Sequence, residues 1–218
     1  MSQKQKWALV IFAREPVTGE VKTRMLTTFS KAQVTRLYKA FVRDVLQTAK
    51  AVGCQQKFIY VAGKNSRRSF LTQFQRYFIL KEQKGGDLGE RMHQAFVDCS
   101  HSHFTATIII GTDCLSLTER DIRLAFEKLA QYDCVIGPAD DGGYYLLGLR
   151  RPTAKLFKNM PWGSRLVFKE TLKRVEELKK SVYILEKRGD LDTAEDLNKW
   201  FKSPKTSFYT QRVLQGFS

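Results

Sequence analysis

The chain predicts an α/β protein, a layered sandwich around a mostly parallel, mixed sheet. Three observations carry this reading. Short apolar segments rich in β-branched residues alternate with amphipathic stretches at helical spacing along the whole 218 residues. The most apolar segment, Thr107-Ile108-Ile109-Ile110, ends in Gly111-Thr112-Asp113, so a carboxylate stands at the carboxyl end of a buried strand, where open α/β sheets bind ligands. A Gly pair, Gly142-Gly143, precedes an apolar run that re-enters the sheet, in an antiparallel sense.

In chain order, Trp7 to Ala13 is the first strand. Lys31 to Ala51 is a helix, because Val34, Leu37, Tyr38, Phe41, Val42, Val45 and Leu46 recur on one face. Phe58 to Val61 is a strand, Ser66 to Phe74 a short helix, Tyr77 to Leu80 a strand and Leu88 to Cys99 a helix. Thr107 to Ile110 is the central strand, Arg120 to Ala130 a helix and Cys134 to Gly137 another buried strand. Tyr144 to Leu149 returns to the sheet, Ser164 to Lys180 is a helix, Val182 to Leu185 a late strand and Ala194 to Phe201 a last helix.

Hydrophobic content of 43% and aromatic content of 12% exclude disorder, and the length suits one domain spanning 1–218. The polar start, Met1 to Lys6, lacks a signal cleavage pattern, and the strand after it is too short to span a membrane. A soluble, cytoplasmic protein is expected. Cys54, Cys99, Cys114 and Cys134 show no zinc-ligand spacing and read as reduced thiols.

The net charge of +15 is unevenly placed. Residues 1–82 hold 16 Lys and Arg against 4 Asp and Glu, residues 83–148 hold 5 against 10, and residues 149–218 hold 16 against 8. An acidic middle between basic flanks suits a metal centre ringed by groups that attract phosphate. No helix-turn-helix, zinc finger or aromatic-basic RNA-binding signature accompanies the basic flanks, so no nucleic-acid partner is expected.

Four loops could carry chemistry. In the first, Arg14, Lys22 and Arg24 follow the first strand within eleven positions, and Gly19 allows the turn that would converge them on a phosphate. Neither GxxxxGK[ST] nor GxGxxG is present. In the second, Gly85-Gly86-Asp87 precedes a helix whose amino end could take a phosphate or a base edge; Asp87 could cap that helix, and Arg91 lies one turn in. In the third, Asp140 and Asp141 before the Gly pair could position or deprotonate an acceptor, or only form a turn. In the fourth, Asp192 is placed to cap the last helix with Glu195 as its capping-box partner, while Asp190 and Asp192 could share a metal with Asp113. Oxygen donors of this kind suit Mg²⁺ or Mn²⁺. His93, His101 and His103 fall outside these loops, and GxSxG is missing, so imidazole and serine catalysis are not expected.

Phe12-Ala13-Arg14 with Gly19 and Lys22-Thr23-Arg24, Gly86-Asp87-Leu88-Gly89-Glu90-Arg91-Met92, Gly111-Thr112-Asp113-Cys114, Gly137-Pro138 with Asp141-Gly142-Gly143-Tyr144, and Asp190-Leu191-Asp192-Thr193 with Glu195-Asp196-Leu197 together resemble the DUF2064 family. That family is described as glycosyltransferase-like or radical-SAM/selenodomain-associated transferases, and the likeness runs from about residue 7 to 200. The resemblance implies a GT-A-like nucleotide-diphospho-sugar transferase fold. By that resemblance Arg14, Lys22 and Arg24 would hold phosphates, Asp113 would bind the metal, and Asp190 or Asp192 would complete its site; the residues themselves add Gly19, Gly86 and Arg91 as phosphate or nucleotide candidates, and Asp141 ahead of Asp140, with Lys22, as catalytic candidates. The first loop lacks the LxGGxGxR form of nucleotidyltransferases, and Leu115 stands where the family usually carries Pro.

The expected activity is metal-dependent transfer from a nucleotide-activated donor to a small-molecule acceptor, glycosyl transfer from a nucleotide-diphospho-sugar first. Nucleotidyl transfer with release of pyrophosphate and non-catalytic nucleotide binding are the alternatives, and a homodimer is allowed for.

Overall fold

A computed structural model describes residues 6–63, 70–201 and 207–217. In it the predicted alternation closes into one seven-stranded sheet. β1 (Trp7–Arg14), β2 (Gln56–Ala62), β3 (Ile79–Glu82), β4 (Ala106–Ile110), β5 (Cys134–Pro138), β6 (Tyr144–Leu149) and β7 (Val182–Ile184) lie in the order β3-β2-β1-β4-β6-β5-β7. All pairings are parallel except those of β6, which runs antiparallel to both β4 and β5. The helices are α1 (Lys31–Ala51), α2 (Leu88–His101), α3 (Glu119–Lys128), α4 (Val167–Glu177), α5 (Ala194–Phe201) and α6 (Phe208–Gln215).

The two faces of β1 show how the strand pattern builds the layers. Leu9 and Ile11 join a core with Leu37, Phe41, Phe126 and Leu197, whereas Ala8 and Val10 join one with Met92, Phe96 and Phe157. The period of two along a strand therefore feeds both cores. Each fully buried large apolar side chain contributes about 1.5–3 kcal/mol.

Local chemistry sets the helix starts. Ser30 and Gln33 form a capping box at α1, Thr118 and Asp121 do so at α3, and Asp87 caps α2 through the Glu90 N–H.

Several boundaries differ from expectation for identifiable reasons. The expected helix 164–180 begins only at Val167: Gly163 has φ +80 and the Ser164 hydroxyl takes the Leu166 N–H, which makes a turn instead. It ends early, with Lys179 at φ 51. The third strand starts two residues late, because the Tyr77 and Phe78 N–H groups return to the Phe74 carbonyl. Of the expected helix 66–74, residues 66–69 lie outside the described residues, and Leu71–Phe74 is a 3-10 turn. α6 has no counterpart in the sequence reading. It is docked by buried Asp44 of α1, which accepts from the Tyr209 and Thr210 N–H groups and the Thr210 hydroxyl.

The order of connection positions the site. From β1 the chain moves outward through β2 and β3, then returns on the other side of β1 as β4. Between β1 and β4 the direction of connection along the sheet reverses, and the crevice opens there, at the carboxyl edge. Among the described residues no helix is long and apolar enough to cross a membrane.

Candidate functional site

A cleft of about 790 Å³ opens at this crevice. The end of β1 contributes Arg14 and the loop after it Lys22 and Arg24, the α2 start contributes Gly86 and Arg91, the turn after β4 contributes Thr112 and Asp113, and later loops contribute Asp141, Asp190 and Asp192. All four stretches singled out in the sequence therefore reach one cavity.

Long-range hydrogen bonds assemble the acidic side. The Arg188 N–H donates to the Pro138 carbonyl and the Asp140 N–H to the Arg188 carbonyl, zipping the last loop onto the end of β5. The Arg188 guanidinium donates to the Ser116 carbonyl and, at 2.9 Å, to Asp121. Leu191 N–H then donates to the Asp113 carbonyl at 2.9 Å. The consequence is that Asp190 and Asp192 are carried beside Asp113, nearly eighty positions away in sequence.

The centre of the site is an ion-pair cluster. Lys22 Nζ lies 2.9 Å from Asp113 Oδ1 and 2.7 Å from Asp192 Oδ1, with its side chain only 6% exposed. Arg24 reaches the other oxygen of Asp192 at 3.0 Å and is 72% exposed. Burial works against the Lys22 charge, but Asp113 and Asp192 outweigh it and hold the ammonium's pKa above its ordinary value. Asp190 is pushed up to about 6 by burial first and by the neighbouring charges of Asp141 and Asp192 next.

Several expectations are corrected. Asp192 does not cap α5: the Thr193 hydroxyl accepts the Asp196 N–H while Asp196 accepts from Thr193, so that pair closes the helix start and Asp192 is released to the cleft. Asp140 does not line the cleft; it is paired with Lys187 at 3.0 Å on the outside. Gly19 also stays outside the lining and serves the turn, at φ +84. The Gly86 N–H is taken by Glu90 at 2.7 Å and Arg91 Nε donates to the Gly85 carbonyl, so the α2 start presents a carboxylate where an anion was expected. Lys22 faces the two aspartates and is not turned to the open cleft. Among the described residues, no group of three His, Cys, Asp or Glu side chains is arranged around one metal position. Asp113 and Asp192 converge, on Lys22, and Asp190 does not complete a triad with them.

Asp141 does line the cleft, and one of its oxygens accepts the Gly143 N–H at 2.7 Å. The turn that aims it requires glycine at 142, where φ is +90 and a Cβ would stand 2.3 Å from the Arg165 carbonyl oxygen.

Several contributors carry no signal in the sequence that marks them as part of the site. Tyr38, counted as part of the apolar face of α1, accepts the Arg14 N–H at 3.0 Å and touches the Thr112 hydroxyl at 3.3 Å, tying the ends of β1 and β4 together. Gln83 straps β1 to β2 through the Ala13 and Tyr60 carbonyls. Trp162 and Ser164 line the cleft from the turn before α4. Ser164 falls in the turn rather than in the helix because α4 begins only at Val167.

The donors fit a hard divalent ion in kind. Two carboxylates already approach one point within 3 Å, and Asp190 and Asp141 line the same cleft. What stands at that point is the Lys22 ammonium.

Fold, cleft and loop chemistry together define a member of the nucleotide-diphospho-sugar transferase fold class. More narrowly, the chain belongs to the DUF2064 family, described as an uncharacterized protein conserved in bacteria, whose profile matches residues 45–164. It is similar to a crystal structure from Desulfovibrio desulfuricans G20, provisionally named a nucleotide-diphospho-sugar transferase, at 27% identity over 97% of this chain and 95% of that one, with a TM-score of 0.89. Two more distant structures share the fold. The inositol-1-phosphate CTP transferase of T. maritima is 11% identical over 98% of both chains with a TM-score of 0.57. Rv0371C of Mycobacterium tuberculosis H37Rv, solved in complex with manganese, is 14% identical over 92% of this chain and 100% of that one with a TM-score of 0.52. No curated protein sequence matches the chain significantly.

Proposed function

We propose that the chain is a metal-dependent transferase that uses a nucleotide-activated donor, transferring the sugar of a nucleotide-diphospho-sugar to a small acceptor. The observation that carries this reading is the convergence of Lys22, Arg24, Asp113 and Asp192 at the switch point of the sheet. The likeness to the Desulfovibrio desulfuricans protein over nearly both whole chains supports it.

Asp113 and Asp192 would hold Mg²⁺ or Mn²⁺, which neutralises diphosphate charge when bound. Arg14, exposed in the cleft, and Arg24 stabilise the negative charge that builds on the departing nucleoside diphosphate. The bond between the anomeric carbon and the diphosphate oxygen breaks as the acceptor oxygen bonds to that carbon. The free oxygen of Asp141 takes the acceptor's proton, its other oxygen being held by the Gly143 N–H. Asp140, paired with Lys187 outside the cleft, has no part in this scheme.

Titration with UDP-, GDP- and CDP-sugars, each with and without Mn²⁺, tests the reading. Metal-dependent binding of at least one is expected, and Asp113→Asn should abolish both metal and donor binding. Absence of metal-dependent binding to every nucleotide overturns it, and pyrophosphate release from a nucleoside triphosphate would redirect it to nucleotidyl transfer.

A further inference from the structure

The position of the Lys22 ammonium implies an exchange. It is the inner partner of a cluster whose two carboxylates, 47% and 36% exposed, open onto the cleft. An ion bound to these same oxygens at about 2.1 Å would lie against the ammonium, whose side chain is only 6% exposed, and like charges that close repel. Losing both partners to the ion would strand a buried ammonium, so lysine and metal cannot keep these carboxylates together.

The backbone is consistent with a side chain held by its partners. Lys22 has φ 47 and ψ 45, a left-handed conformation that is unfavourable for a residue carrying a Cβ. The side chain leaves the loop that also carries Arg24 and that follows Arg14 at the end of β1, and all three line the same cleft. The direction open to a displaced ammonium is therefore the space where a donor's phosphates would lie.

We propose that Lys22 is an internal counter-cation: a divalent ion displaces its ammonium from Asp113 and Asp192, and the released ammonium binds a phosphate oxygen of the donor. Metal and nucleotide then strengthen each other's binding reciprocally. This rests on the metal-dependent reading above and adds a role for the lysine that it does not contain.

Two measurements test it. In the wild-type protein, acylation of Lys22 by an amine-reactive ester, followed by mass spectrometry, should be slow without metal, several-fold faster with saturating Mn²⁺, and suppressed again by added UDP, GDP or CDP. A Lys22 reactivity that Mn²⁺ leaves unchanged overturns the exchange. Separately, Lys22→Met should bind Mn²⁺ on the order of tenfold tighter than wild type when no nucleotide is present, by electron paramagnetic resonance titration. It should also lose the mutual enhancement between Mn²⁺ and nucleoside diphosphate. Equal Mn²⁺ affinity in the two proteins overturns the exchange and leaves metal-dependent transfer standing; no Mn²⁺ binding by either, with or without nucleoside diphosphate, overturns both.

Discussion

At the scale of single residues, the site depends on backbone geometry as much as on charge. Gly142 is the clearest case: φ is +90 and the carbonyl of Arg165 stands where a Cβ would go, while the Gly142 carbonyl itself accepts the Phe168 N–H. Gly142→Ala should therefore destabilise the protein by about 2–3 kcal/mol, read from urea unfolding, and should weaken whatever Asp141 does in turnover. An unfolding midpoint equal to wild type would show that the turn relaxes without cost. Asp113 was legible at this scale, because a β-branched run ending in Gly-Thr-Asp places a carboxylate at a strand end. That Asp140 would turn away from the cleft was not. Adjacent residues in a turn point in different directions, and the Lys187 partner that draws Asp140 outward is more than forty positions away.

At the scale of elements, the strands and the long helices were legible because burial imposes a period of two or of 3.6 on their sequences. α1 was placed at its observed bounds by its apolar face alone. Ends decided by tertiary contacts were not, as the start of α4 and the cap of α5 illustrate. The short β7 is held by a clamp that also lay outside the pattern: Asp133 accepts from the Ser181 N–H at 3.0 Å and from its hydroxyl at 2.9 Å. These bonds from the Ser181 backbone and hydroxyl hold the Asp133 carboxyl below its ordinary pKa of 3.8. Because the native value is depressed, the clamp's contribution to stability is fully present above the ordinary value and is lost as the pH falls through the native one. Unfolding free energies measured between roughly pH 5 and pH 3 should therefore fall less steeply for Asp133→Asn than for wild type. Parallel curves would rule the clamp out as a source of acid sensitivity.

At the scale of the whole molecule, one sheet carries a core on each face and gathers four distant loops at its carboxyl edge. The last helix closes the α1 face through a single buried carboxylate. Asp44 is 8% exposed and satisfies three donors of Tyr209 and Thr210. Asp44→Ala leaves these donors unpaired, so a loss of about 2–4 kcal/mol is expected, together with faster amide exchange confined to residues 208–215. Exchange in that helix unchanged from wild type would mean that apolar contacts alone hold it.

The amino-acid sequence by itself determined the alternation of strands and helices, the mixed sheet with one antiparallel return, and which loops bring cations and carboxylates to the ligand edge. These follow from periodicity and from residue types that act locally. Only the tertiary structure decided that the Lys22 ammonium lies between Asp113 and Asp192 and that Thr193 relieves Asp192 of capping. The reason is physical: the aim of a loop side chain is set by hydrogen bonds such as Leu191 N–H to the Asp113 carbonyl, which join segments that no local pattern relates.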